Sequence, residues 1–329
     1  MATEVRPLLF KPHMLKGLSH KLLISHYENN YGGALRRLNA IDTRLRSLDW
    51  AAASVFDING IKREELIAAG SVILHEIYFD ALGGDGGDPP AGLGLAEALE
   101  RDFGSVATWT SEFTAIAKAQ AGGSGWTALV WSDRLGRLIN QWAADHTHAL
   151  AGGAPILTLD MYEHAYHLDF GARAAAYVDA VMGNLHWERI AARYRRVRHG
   201  EPEDVALFTP FGAPSEPGHV ISAEDLRSDL QRDPPALVDV CIAPDLPRRN
   251  DMLPGATIHN PDAIDRWTAT LPRDKPIVVY CFFGFQISGN AVAELRRRGY
   301  DARGLKGGIG AWHAIGGPTV PLDQTTYES

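Results

Sequence analysis

The chain has 329 residues, two cysteines and a formal net charge of −8 at pH 7. Its length suits two domains rather than one, and its acidity argues against a general nucleic-acid binder. Two cysteines make no disulfide framework, so a reduced, cytoplasmic protein is expected. The N-terminal "MATEVRPLLFKPHML" lacks a long apolar core and a small-residue cleavage site, and no apolar run is long enough to span a membrane.

From about residue 15 to 85 apolar residues recur three and four apart, which predicts helices. One is "SHKLLISHYENNYGGALRRLNAIDTRLRSL". A second, "KREELIAAGSVILHEIYFDAL", is expected after a loop containing "DING". "GGDGGDPPAG" is dense in breakers and predicts a loop. Helices follow around "GLAEALERDFGS" and "ATWTSEFTAIAKAQ". The period then changes: "GWTALVWS" and "RLINQWAA" predict two strands joined near "DRLG", and "APILTLD" a third ending at Asp160. The tail to Tyr194 is helical, and the basic run "RYRRVRH" suits a helix C-terminus.

"HGEPEDVALFTPFGAPSEPGH", with four prolines, is expected to be a linker over 199–219. Beyond it short apolar strands, "ALVDV", "PIVVYC" and "DARGL", alternate with helical stretches such as "SAEDLRSDLQ" and "ISGNAVAELRRRG". That alternation predicts a parallel sheet covered by helices. The fold expected is thus an α+β part over 1–198, with a helical hairpin to about 88 and helices with a small antiparallel sheet over 89–198. An α/β parallel-sheet domain is expected over 220–329.

The stretch "LDMYEHAYHLDF" places Asp160 and His164 four apart, a spacing that puts two side chains on one side of a helix or helix start. They suit an ordinary Asp–His hydrogen bond or two ligands of one metal ion. His26 and His75 lie on apolar helical faces, where a lone histidine is more often a hydrogen-bonded core residue. Together the four make three imidazoles and one carboxylate with no thiolate, a set that fits iron, manganese or zinc.

These segments resemble the iron/manganese superoxide dismutases over about residues 5 to 195. "LSHKLLISHYENNYGGALRRLN" is similar to that family's first ligand helix, "LHEIYFDAL" to its second, "GGSGWTALV" to its Gly-Ser-Gly-Trp strand, and "DMYEHAYHLDF" to its Asp-x-Trp-Glu-His-Ala-Tyr signature. The resemblance implies that His26, His75, Asp160 and His164 hold one iron or manganese ion per chain, with iron slightly preferred, and that Trp126 lines the site. It implies superoxide as substrate and a homodimer in which Glu163 bonds His164 of the partner subunit. Several neighbours depart from the family: Ala34 stands where a gating tyrosine is usual, Asn30 replaces a histidine, Tyr162 a tryptophan and His167 a tyrosine. Tyr31 is the side chain that could turn into the space at Ala34. Ser71, four before His75, is expected not to reach the bound solvent. His146 in "WAADHTHAL" is the candidate for that position, against a plain surface-loop histidine.

Residues 219 to 322 resemble the rhodanese family through "ALVDV", "LPGATIHNP", "IVVYC" and "LKGGIGAWHAIGGP". Cys281, just before a helix start at the end of a strand, would be the nucleophile, activated by backbone donors and supplied by a persulfide or small thiol. The loop Phe282 to Ile287 lacks the family's arginine, with Gln286 near that position, which disfavours anionic donors. Cys241 ends a neighbouring strand and is expected to face Cys281. A second reading stays open: a metal-containing dimeric scaffold with weak dismutase activity whose output is sulfur transfer or redox sensing.

Overall fold

Serine side chains cap the N-termini of four of the described helices. The structure, a computed structural model, describes residues 3–324 and Tyr327, and divides into two compact units. In the first, Leu9–Phe208, Ser19 Oγ accepts the Leu22 N–H and opens α1 (His20–Ser25). A π-helical turn, His26–Tyr31, interrupts the run before α2 (Gly32–Arg46). Such turns insert one residue per hydrogen-bonded ring and often mark functional positions. Ser54 caps α3 (Val55–Asp80) by accepting the Asp57 N–H, while its own hydroxyl donates to Asp57 Oδ2. This cap corrects the expected "DING" loop: Asp57 to Gly60 lie in the first turns of α3, because a satisfied N-cap outweighs one glycine.

Helix α3 buries Ala68, Val72, His75 and Phe79, steps of four, three and four that form one stripe. The loop expected at Gly83 to Gly92 leads to α4 (Leu95–Phe103) and α5 (Val106–Ala119). Strands β1 (Trp126–Ser132), β2 (Arg137–Ala143) and β3 (Gly153–Asp160) form an antiparallel sheet in the order β2-β1-β3. Every residue of β1 is buried. The unit closes with α6 (His167–Phe170), α7 (Ala174–Met182) and α8 (Trp187–His199).

The basic run at the end of α8 is structural. Arg193 donates to buried Asp80 at 2.9 Å, and Arg195 and Arg196 pair with Glu201 and Glu203. Arg189 donates to three carbonyls, those of Leu9, Leu82 and Leu207, at 2.9–3.0 Å. Burial pushes this guanidinium down to about 10.

The second unit comprises Thr3–Leu8 and the chain from Thr209. Val5 N–H donates to Glu224 Oε1 at 2.9 Å. Its strands β4 (Val220–Ile221), β5 (Ala236–Val240), β7 (Thr257–His259), β8 (Ile277–Tyr280) and β9 (Ala302–Leu305) form a parallel sheet ordered β4-β9-β8-β5-β7. Between β5 and β7 lies β6 (Asp251–Met252), which pairs with β10 (Val320–Pro321). Helices α9 (Ala223–Arg232), α10 (Ile264–Trp267), α11 (Gln286–Arg297) and α12 (Gly308–Ala314) make the connections and closure.

The division between the two units, at Phe208 and Thr209, falls within the expected linker 199–219, and the segment makes contacts inside each unit. His199 still belongs to α8, and the Leu207 carbonyl accepts from Arg189 in the first unit. In the second unit a Cβ on Gly289 would stand 1.9 Å from the Gly212 carbonyl oxygen. Prolines removed helical periodicity there without preventing close packing.

Candidate metal centre

Two local devices bring Asp160 and Trp126 together. Trp126 lies directly opposite Asp160 in the β1–β3 register, so both side chains project from one face. Gly125, at φ 143, must be glycine: a Cβ there would lie 2.1 Å from the Ala143 carbonyl oxygen. After β3 the Tyr162 N–H donates to Asp160 Oδ1 at 2.8 Å. That bond turns the chain into a single 3-10 turn, Glu163–Ala165, which carries His164. The four-residue spacing is therefore a strand end and a turn, not one side of a helix.

Three imidazole nitrogens converge on one carboxylate oxygen. His26 Nε2, His164 Nε2 and His75 Nε2 lie 3.1, 3.0 and 3.4 Å from Asp160 Oδ2. His26, His75 and Asp160 are buried, and the His164 side chain is 25% exposed. The four donor atoms lie within 4.8 Å of one another. Bonds of about 2.1 Å at angles of about 90–110° put neighbouring ligand atoms about 3.0–3.4 Å apart, so the spacing fits one ion.

The protons tell the same story. His75 Nδ1 lies 2.7 Å from the Ser71 carbonyl oxygen, which only accepts, so Nδ1 carries the hydrogen. Burial, then the charge of His26, lowers His75 to about 3, so the ring is neutral at pH 7. Its Nε2 is therefore a bare lone pair facing a carboxylate, a buried nitrogen without a hydrogen-bond partner among the described residues. Burial likewise lowers His26. Burial alone would raise the Asp160 carboxyl, but hydrogen bonds from His164 and His26 outweigh it and hold it well below the usual range. Two buried electron-rich atoms turned toward each other repel, and a cation between them relieves that repulsion.

The surrounding shell is aromatic. His75 meets Trp126 edge-on at 5.1 Å, and Tyr78 and Phe79 pack against His26 at 5.2 and 5.0 Å. His146 lies near these rings: it accepts from Trp126 Nε1–H at 3.0 Å through Nδ1 and stacks on Tyr162 at 4.7 Å. Tyr162 in turn stacks on His164 at 5.4 Å. Gly70 permits this, since a Cβ on α3 there would lie 2.0 Å from the His146 carbonyl oxygen. Asn30, Ala34, Ser71 and His146 line an opening of about 320 Å³ that reaches His75 and His164.

One expectation fails here. Tyr31 does not line the opening at Ala34; it is buried against Tyr27, Phe79 and His75 and donates to Glu76 Oε1 at 3.0 Å. Ser71 lines the opening, and its backbone carbonyl fixes the His75 tautomer. The sequence signal for Ser71 was its position four residues before His75, the reach of a side chain back to a helical carbonyl. Glu163 and His167 are exposed on the single chain.

In the second unit Cys281 follows β8 and is buried, with Sγ 3.2 Å from Ser288 Oγ. Cys241 does not face it. Asp239 pairs with Tyr280, so Val240 falls level with Cys281, and side chains alternate between faces. Cys281 accordingly packs with Val240 and Val279, whereas Cys241 packs with Met252 and Ile258. Burial pushes the Cys241 thiol up to about 12. An arginine does approach the loop, Arg249 at 5.9 Å from the Phe282 ring, but both its Nη atoms donate to buried Asp239 at 2.6–2.7 Å.

A cradle of three imidazoles and one carboxylate, without thiolate, could hold one first-row metal ion through nitrogen and oxygen, and so points to the class of metal-binding proteins. Known proteins narrow the class. Residues 90–193 match the C-terminal domain of iron/manganese superoxide dismutases, and residues 222–315 match the rhodanese-like domain. The superoxide dismutase [Fe] of Cupriavidus metallidurans is 62% identical over 194 residues, 59% of this chain and 97% of that one. The superoxide dismutase [Fe] of Aquifex aeolicus is 31% identical over 194 residues, 56% and 88% of the two chains. The superoxide dismutase [Mn] 2 of Haloferax volcanii is 32% identical over 198 residues, 60% and 97%. The chain belongs to the iron/manganese superoxide dismutases, and it carries a rhodanese-like domain in its C-terminal part.

Proposed function

We propose that the first unit converts two superoxide ions and two protons to dioxygen and hydrogen peroxide, using one iron or manganese ion held by His26, His75, Asp160 and His164. The observation that carries this is the bare, buried His75 Nε2 aimed at Asp160 Oδ2. The ion supplies reversible one-electron exchange, which zinc lacks, and the high identity to an [Fe] relative supports iron. Asp160 balances the ion's charge, and the Ser71 carbonyl keeps Nε2 of His75 free to bind. Because Nδ1 of neutral His146 accepts from Trp126, its hydrogen sits on Nε2, a donor at the opening. With alanine at 34 that side of the opening carries no phenol, Tyr162 being the tyrosine that lines it, which favours access over gating.

The dimer belongs to the same proposal. His164 turns Nε2 inward, leaving Nδ1 on the outer side for Glu163 of the partner subunit. Leu168, five residues after Glu163 and half-exposed, supports a covered surface. For the second unit, taken as a separate module over about 220–329, we propose that Cys281 accepts sulfane sulfur as a persulfide. The loop's lack of an uncommitted cation favours a persulfide donor over thiosulfate: the Cys281 thiolate takes the donor's outer sulfur as the donor's S–S bond breaks, and the donor leaves as its thiol. A cytoplasmic location fits both chemistries. The rival reading, a scaffold with weak dismutation, draws on the unguarded space at Ala34.

The test is metal content and superoxide dismutation on one purified sample of wild type and His75→Ala. The variant should lose both; full metal occupancy with unchanged activity would reject the ligand set.

A further inference from the structure

The opening above the metal site is lined by uncharged groups, histidines, Tyr162 and one guanidinium. Among the described residues that line it, Arg37 is the one permanently charged side chain. It follows Ala34 by three residues on α2, so the two share a helix face. The short Ala34 side chain leaves the space beside Arg37 open to the histidines below. The chain as a whole carries −8, which repels an incoming anion.

The guanidinium is not left to itself. It is ion-paired with Glu64 of α3, the two side chains being 56% and 33% exposed. Glu64 lines a neighbouring groove between α2 and α3 and does not line the metal opening, whereas Arg37 lines both. The carboxylate therefore draws the positive charge to the far side. An exposed pair of this kind adds little to stability, so its effect is on the field in the opening.

Building on the dismutase reading, we propose that Arg37 is the specificity-determining cation of this opening, drawing small anions toward the metal site, and that Glu64 attenuates it. Arg37 touches no reacting atom. Its contribution lies in the encounter rate and in the affinity for anions, both of which salt screens. Removing Arg37 and removing Glu64 must then act in opposite directions, which a purely structural ion pair does not do.

The experiment uses the metal-loaded full chain as wild type, Arg37→Gln and Glu64→Gln, with azide as the probe, read by absorption of the loaded protein. Superoxide kcat/KM is measured in parallel from about 10 mM to about 1 M ionic strength, where the screening length falls from about 30 Å to about 3 Å. At low salt Arg37→Gln should weaken azide binding and lower kcat/KM, each by about threefold. Glu64→Gln should strengthen both, and all three proteins should converge at high salt. The proposal is overturned if azide affinity at low salt is the same in wild type and Arg37→Gln. It is overturned equally if the two variants shift in the same direction, if the difference survives high salt, or if wild type binds no azide. A wild type that binds azide yet does not turn over superoxide would refute the dismutase reading instead, and the azide comparison would still decide the role of Arg37.

Discussion

Proton linkage at His75 gives a measurable consequence of the metal-free cradle. The ring is buried and its folded-state value lies at about 3, against an ordinary 6.5, chiefly because burial penalises the charged form. A depressed histidine costs stability as pH falls, because below 6.5 the unfolded chain takes up a proton that the folded chain refuses. Above 6.5 the effect vanishes, and it grows steadily down to about pH 3. At 1.36 kcal/mol per unit, His75 alone removes ~1.3 kcal/mol between pH 7 and pH 5.5, and ~2.6 kcal/mol by pH 4.5. Replacing it by a side chain that cannot titrate, as in His75→Leu, should delete that slope whatever it does to stability at pH 7. Urea unfolding of metal-free wild type and variant at the three pH values measures it, with the transition of the Leu9–Phe208 unit assigned by hydrogen exchange in β1. The pH slope of the variant should be shallower by these amounts. Equal slopes would mean that His75 is already protonated or solvated in the folded protein, and the bare lone pair would be lost from the argument.

Metal removal should lower the melting temperature of the first unit, with nearly no effect on the second, since a ligand that binds only the folded cradle stabilises that unit; calorimetry of loaded and stripped protein shows which transition moves. Arg189→Met should cost about 3 kcal/mol or more, because the carbonyls of Leu9, Leu82 and Leu207 lose their donors in a buried site; a loss under 1 kcal/mol in urea unfolding would mean that water replaces the guanidinium. Peroxide treatment followed by mass mapping should yield no Cys241–Cys281 disulfide in the folded protein, since the side chains leave opposite faces of the sheet. Abundant intramolecular disulfide without unfolding would contradict the register.

Much of the site was legible in the sequence because local chemistry encodes it. The stripe Ala68, Val72, His75 and Phe79 specifies a helix with one histidine inward, and the short apolar run with β-branched Ile156 and Thr158 in "APILTLD" specifies a buried strand ending on Asp160. Breakers misled where capping prevailed: Gly60 suggested a loop, but Ser54 and Asp57 carry α3 through it. At 199–219 the prolines remove helical periodicity, and the division between the two units falls there, at Phe208 and Thr209. What only tertiary structure decided is what depends on parity, register and charge at a distance. Adjacent parallel strands end in Cys241 and Cys281, and a shift of one residue puts them on opposite faces. Tyr31 and Ala34 are near in sequence, yet a π turn ends between them and sends the tyrosine to Glu76. Arg37 reads as an ordinary solvated residue of α2 until the fold sets it over His75 and His164, because no local pattern records which cation a distant pair of histidines will meet.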